Sequence, residues 1–378
     1  MKWIQAIDYD TVAANSSPAV GAVALIERHK NCQVLKLPCR HHIYDLFGKN
    51  IVSVITGRRS SGPGDPLFLC YAREWPNLFG KINYGNLKRF NLRPYIGTFI
   101  EQVVVSVKNW TRHAYLAEVF RRGDYEDLLQ LIIVYLGAEP PGFSFQFRKP
   151  PKISNARFMQ IANLYITMEL LSYQLDFLSP GHLTEVSNMA LISALFYGPG
   201  FLKSNNLGRA SYNDLTSISH YRQLRCFMPE ASRIGLETWK RHLDYLTPQN
   251  IVWSLVNDDF SDDQRESLAQ ALLQRLDARD ISIPLPPNRV TYPGPNFTTS
   301  HVFWPNDSVL PNIANLITEE SFLVFNILRI SNADLRDWWE APVVEWSDDR
   351  ASPHYKLGYH SVKSNVVSFD VVNNAAER

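Results

Sequence analysis

The sequence is poor in cysteine, in net charge and in long apolar runs, and each shortage closes off a class of protein. Four cysteines, Cys32, Cys39, Cys70 and Cys226, are spread over 378 residues, too few and too scattered for the disulfide framework of a small secreted module, so a reducing compartment is expected. Lys and Arg number 38 against 37 Asp and Glu, a formal net charge of +1. Bulk charge therefore does not hold the chain on nucleic acid or an anionic membrane, and any such contact needs a local patch. The longest apolar run, LLQLIIVYLGA from Leu128 to Ala138, falls well short of the roughly 20 residues that cross a bilayer. The first residues, MKWIQAIDYDTVAANSS, lack the apolar core and small-residue cleavage site of a signal peptide. The expectation is an intracellular protein, nuclear or cytoplasmic, neither secreted nor in a membrane, and the sequons at Asn296 and Asn306 then carry little weight. No Gly-rich phosphate loop, G-x-S-x-G elbow, H-E-x-x-H pair or solenoid-period repeat is found either.

What is present is enough apolar material for a substantial core. Hydrophobic residues make up 45% and aromatics 12% of the chain, which excludes disorder as a description of the whole and leaves length for two or three domains. Trp3 to Asp8 reads as a short strand ending on the acidic run Asp8-Tyr9-Asp10-Thr11, Pro18 to His29 as a helix opened by proline, and Cys32 to Cys39 as a second strand ended by Pro38. Strand, helix and strand within so short a stretch predict a βαβ unit with a parallel pair. After the turn-rich segment Arg58 to Pro66 the texture becomes helical. Asn155 to Leu178 places Phe158, Ile161, Ala162, Tyr165, Met168, Leu171 and Leu175 on one face of a long helix, and Ser261 to Gln264 fits a capping box opening a helix with a stripe of Leu268, Leu272, Leu273 and Leu276. Glu237 to Leu246 and Pro248 to Val256 read as two short helices broken at Thr247-Pro248, and Ser364 to Arg378 as a β-prone run followed by a helix start.

Four residue sets are candidates for chemistry. Asp8 or Asp10, followed by Thr11 and Asn15, lies at a strand end, where turn residues are common and where open α/β sheets also place ligand and metal sites. Cys39-Arg40-His41-His42 follows the second strand. With His29 and Cys32 it forms a zinc-like pattern, but seven extended steps separate the two cysteines by roughly 23 Å, too far for one tetrahedral site. A structural role at a strand–helix corner is the better alternative. The stretch Lys81 to Arg122 is basic and aromatic, with Lys88, Arg89, Arg93, Lys108, Trp110, Arg112, Arg121 and Arg122. That mixture suits phosphate contacts with base stacking, and equally a solvated helix surface. Trp338-Trp339-Glu340 with Pro342 and Trp346 reads as aromatic core packing rather than a ligand cage.

Taken together, Asp10-Thr-Val-Ala-Ala-Asn15, Cys39-Arg-His-His42, a long helical interval and Asn373-Asn-Ala-Ala-Glu377-Arg378 resemble the RNase H-fold transposases of the hAT-like type, and transposon-derived proteins with an Asp-Thr-Thr-x-x-Asn motif followed by Cys-Arg-His-His. Further similar stretches are Ser61 to Phe68, Trp75-Pro76, Asn155 to Met159 and Arg241-His-Leu-Asp-Tyr-Leu246. The resemblance implies a mainly α chain with a small α/β part: an incomplete RNase H-like fold over residues 1–57, a large helical insertion domain over 58–363 and a return segment over 364–378. It implies Asp10 and Glu377 as catalytic acids and metal ligands, Asp8 as a competitor, and Cys39, His42, Thr11 and Asn15 as supporting residues. Mg2+ or Mn2+ is then the cofactor of an active enzyme, and none is needed otherwise. The family's first acid lies on a strand upstream of the Asp-Thr motif, so this chain is expected to lack it, along with three strands and a helix, and to be inactive by itself. The open strand edge this leaves is expected to be an aggregation liability, partly covered by Val366 to Val372. Two alternatives stand beside this reading: a helical scaffold repurposed to bind nucleic acid or protein, and a metal-dependent nuclease completed by a partner chain. DNA, a protein partner or a second copy of the chain are the partners considered.

Overall fold

The computed structural model describes residues 6–9, 21–31, 34–57, 65–118, 122–150, 158–204, 206–257, 260–278, 313–346, 358–364 and 366. In chain order the elements are β1 (Ala6–Tyr9), α1 (Ala22–Lys30), β2 (Leu35–Pro38), α2 (Arg40–Thr56), α3 (Pro66–Leu78), α4 (Phe99–Leu116), α5 (Gly123–Leu136), α6 (Met159–Leu170), α7 (Pro180–Ile192) and α8 (Gly198–Leu202). They continue with α9 (Ala210–Leu224), α10 (Pro229–Trp239), α11 (Pro248–Ile251), α12 (Asp262–Ala278), α13 (Phe322–Ile327) and α14 (Asn332–Glu340). The chain is mainly helical, and its one described sheet is the parallel pair β1–β2. No described helix is long and apolar enough to cross a membrane.

The fold divides into two compact units, Met1–Arg40 with Lys203–Ser219 and Trp239–Arg378, and His41–Leu202 with His220–Thr238. The helical interval 58–363 thus contributes to both. In the first unit Ala6 faces Leu35 and Tyr9 faces Pro38, and α1 makes the crossover that a parallel pair requires. Asn31 ends α1 in the left-handed region at φ 49, with its amide donating to the Arg28 and Glu27 carbonyls, a termination that asparagine tolerates better than most residues. Glu27 then ties α1 to β2: its carboxylate accepts from the Val34 amide at 3.2 Å and pairs with Lys36 at 3.0 Å. Farther along, the capping box at Ser261 forms, with the Gln264 amide donating to Ser261 Oγ and the Ser261 amide to Gln264 Oε1. Leu268, Leu272 and Leu276 of α12 are buried. Trp338 and Trp339 are buried in an aromatic core with Trp346 and Tyr359.

The second unit is built around α6. Every residue of that helix except Gln160 and Asn163 is buried, and it packs against α5 and α7, the expected place of a helix that is apolar on nearly all sides. Asp45 on α2 fixes its start: one carboxylate oxygen accepts from the Phe158 amide at 3.1 Å and from the Tyr197 hydroxyl at 3.0 Å. Tyr197 lies in a π-helical turn, Ser193–Tyr197, between α7 and α8.

Three sequence expectations are corrected. The single helix over Asn155 to Leu178 is α6 alone, because the Leu170 carbonyl accepts from the Lys88 amide at 2.8 Å and the chain passes into a 3₁₀ turn at Ser172–Gln174. The helix over Glu237 to Leu246 is instead α10, opened by Pro229-Glu230, and a separate 3₁₀ turn, Asp244–Leu246. Proline at the first position and an acid in the first turn are the start signal of α10. The β-prone run begins helical: residues 358–364 and Val366 are helix, with Tyr359, Val362 and Val366 buried on one side. Packing against the tryptophan core outweighs β propensity there. The cover expected from Val366 to Val372 therefore starts as helix, and 367–372 lie outside the described residues.

Gly48 on α2 is required by close approach, since a Cβ there would sit 2.0 Å from the ring of Phe158, which is itself held edge-on to Tyr197 at 4.8 Å. Gly48→Ala is expected to destabilise the protein by about 1–3 kcal/mol, read as a lower denaturation midpoint, and an unchanged midpoint would refute the packing.

Candidate functional site

The C-terminal end of β1–β2 is where an open α/β sheet presents its functional loops. Asp8 is exposed there, opposite Leu37, and the Cys39 amide donates to the Tyr9 carbonyl at 2.7 Å, extending the pairing by one rung. Asp10, Thr11, Asn15, Glu377 and Arg378 lie outside the described residues. Among the described residues no three His, Cys, Asp or Glu side chains converge to hold a metal ion.

What the strand end does assemble is a buried charge cluster. Arg40, the first residue of α2, donates through Nη2 to Oδ1 of Asp214 on α9, and the two side chains are 3% and 1% exposed. The second carboxylate oxygen of Asp214 is buried without a partner among the described residues. The Arg40 guanidinium lies 5.3 Å from the ring centre of Tyr245, whose hydroxyl donates to the Pro38 carbonyl at 2.7 Å. Asn250 completes the frame, its amide donating to the Asp244 carbonyl at 2.8 Å and its Oδ1 accepting from Trp253 Nε1 at 3.1 Å. Burial pushes the Asp214 carboxyl up to about 7, with the charge and hydrogen bond of Arg40 pulling it down and Asp244 adding to the rise. Burial also lifts Asp244 to about 6. The Tyr245 phenol is driven well above its ordinary range by burial, Arg40 opposing and Asp8, Asp244 and Cys39 reinforcing the shift.

The Cys39–His42 run straddles the division of the chain. Cys39, a half-buried thiol, and Arg40 belong to the first unit, His41 and His42 to the second. His41 is buried between the rings of Phe201 at 4.4 Å and Tyr125 at 5.6 Å, and His42 is half-buried. Sequence reading missed Asp214 and Asn250, and took in Tyr245 only as part of the Arg241–Leu246 stretch, with no role at the site. A signal for Asp214 existed: it stands between Ala210 and Ile218 at four-residue steps, an acid inside the buried stripe of α9.

The basic stretch is largely consumed by internal contacts. Lys88 pairs with the buried Glu169 at 2.9 Å and donates to Ser187 Oγ at 3.1 Å. Arg89 pairs with Glu139 at 2.6 Å, and Arg112 Nε donates to the Ala138 carbonyl at 2.8 Å. Both cations therefore sit at the carboxyl end of α5, where the helix dipole favours positive charge. Arg122 pairs with Asp124 at 2.6 Å. Arg93 is exposed, Lys108 half-exposed, and Arg121 lies outside the described residues. Of the described members of the set, Lys88, Arg89, Arg112 and Arg122 are thus engaged by internal partners.

Comparison with protein-family models, with curated proteins and with solved structures gives no match.

Two outcomes follow from the charge contacts. Asp214→Asn removes the carboxylate charge that Arg40 bonds in the core and is expected to cost about 3–5 kcal/mol in chemical denaturation, whereas the double variant Arg40→Met, Asp214→Leu recovers most of that loss; equal costs for the two would mean the pair is not coupled. Lys88→Ala is expected to lower the melting temperature by leaving the buried Glu169 carboxylate with Ser187 Oγ but without the Lys88 charge, while Arg93→Ala leaves it unchanged.

Proposed function

We propose that the chain carries part of an RNase H-like fold of the hAT-like transposase type and does not by itself cleave or transfer DNA strands. The observation that supports the reading is a juxtaposition. Two stretches quoted for the resemblance, Cys39-Arg40 and Asp244-Tyr245, lie far apart in sequence, yet Tyr245 bonds Pro38 and faces Arg40 at the end of the parallel pair. The order β1, α1, β2 with a parallel register supports it further.

The proposed lack of activity has a chemical basis. Two-metal strand transfer clamps ions roughly 3.5–4 Å apart between acids, and the resemblance assigns only Asp10 and Glu377 to that role in this chain. Arg40, held by Asp214, acts in this reading as a positioning group that fixes the Cys39 corner against β1 and touches no substrate.

A nicking assay on supercoiled DNA with Mg2+ or Mn2+ is expected to show no cleavage by the purified chain. Cleavage that disappears in Asp10→Ala and Glu377→Ala would overturn the claim of inactivity and support a nuclease completed by association.

A further inference from the structure

The segment 143–149, FSFQFRK, lines one side of a surface cleft. It leaves a tight turn in which the Phe143 amide donates to the Pro140 carbonyl at 3.1 Å and Gly142 takes φ 77, a turn that needs glycine at its third position. The rings of Phe143 and Phe145 are parallel and 6.5 Å apart, the repeat of two steps along an extended chain. Burial alternates to match: Ser144, Gln146 and Arg148 are exposed, whereas Phe143, Phe145 and Phe147 are turned inward. The Phe147 amide donates to the Tyr84 hydroxyl at 3.4 Å. In an extended chain, neighbouring residues point their N–H and C=O groups to the opposite edge. The amides of Ser144, Gln146 and Arg148 have no protein partner among the described residues, so this edge is unpaired.

The cleft next to it measures about 620 Å³, with Trp75, Phe79 and Gln130 across from the segment. Phe79 leans on Trp75 at 5.7 Å and is 64% exposed. Among the described residues lining the cleft, the charged ones are Arg148, exposed although paired with Asp127 at 2.9 Å, and the exposed Lys149. We propose that this cleft takes an extended acidic peptide of a partner protein as an added strand, with an apolar side chain of the peptide on Phe79 and a carboxylate at Lys149. A single-stranded nucleic acid could stack on Phe79 and meet Lys149, but its base donors and acceptors do not alternate at the two-residue repeat of an extended chain. A peptide strand supplies donors and acceptors in the alternation the edge presents.

The test is fluorescence polarisation with the full chain and labelled heptapeptides of alternating Glu and Val, the central residue being Phe, Leu, Ile or Trp, alongside a labelled oligo-dT strand. At least one heptapeptide is expected to bind saturably. Phe79→Ala and Lys149→Glu should each weaken that binding about tenfold or more, and methylating alternate peptide amides should abolish it with the protein unaltered. Absence of binding by every heptapeptide, indifference to both the substitutions and the methylation, or tighter binding of oligo-dT would each overturn the proposal.

Discussion

The ion pair between Arg40 and Asp214 is the constraint on which the first unit depends. It joins the corner after β2 to α9, and Tyr245 closes the arrangement by bonding the Pro38 carbonyl. Neither charge has access to water, so each makes the other tolerable, and the unmatched second oxygen of Asp214 shows how little slack remains. Buried pairs of this kind seldom add stability over an apolar contact. Their effect is to make one arrangement of three distant chain segments better than every other, because a misplaced partner leaves a bare charge in the core. The frame of Asn250, Trp253 and Asp244 then holds Tyr245 in the place where that selection operates.

The second unit depends on packing rather than charge. α6 is apolar on almost every side and is located by Asp45 at its start and by the Lys88 amide at its end. The cations around it serve helix ends and buried acids. Arg89 and Arg112 are committed to the carboxyl end of α5, and Lys88 to Glu169.

Local signals in the sequence located the βαβ order, the capping box at Ser261 and the buried tryptophans, because each depends on neighbouring residues or on strong burial preference. Helix ends were less legible. The end of α6 is set by Lys88 and the helix over 358–364 by Trp338 and its neighbours, both distant in sequence. At the candidate site Cys39 and Asp8 were legible as residues at strand ends. Asp214 and Tyr245 were not, since their place comes from contacts across some 174 and 207 residues of chain. A single buried acid in α9 was the one local trace.

Those separations bear on synthesis. A ribosome adds roughly 5–20 residues per second, so β1, α1 and β2 wait about nine to forty seconds before Asp214 and then Tyr245, 174 and 207 residues on, emerge to meet them. Much of the second unit, by contrast, has its neighbours close in sequence and can consolidate while the chain is still growing. During that interval the parallel pair is short of its closing contacts, and its exposed strand edges are open to chaperones or to misassociation. The interrupted layout of the first unit therefore makes its assembly late and dependent on the part of the chain that is translated between its pieces.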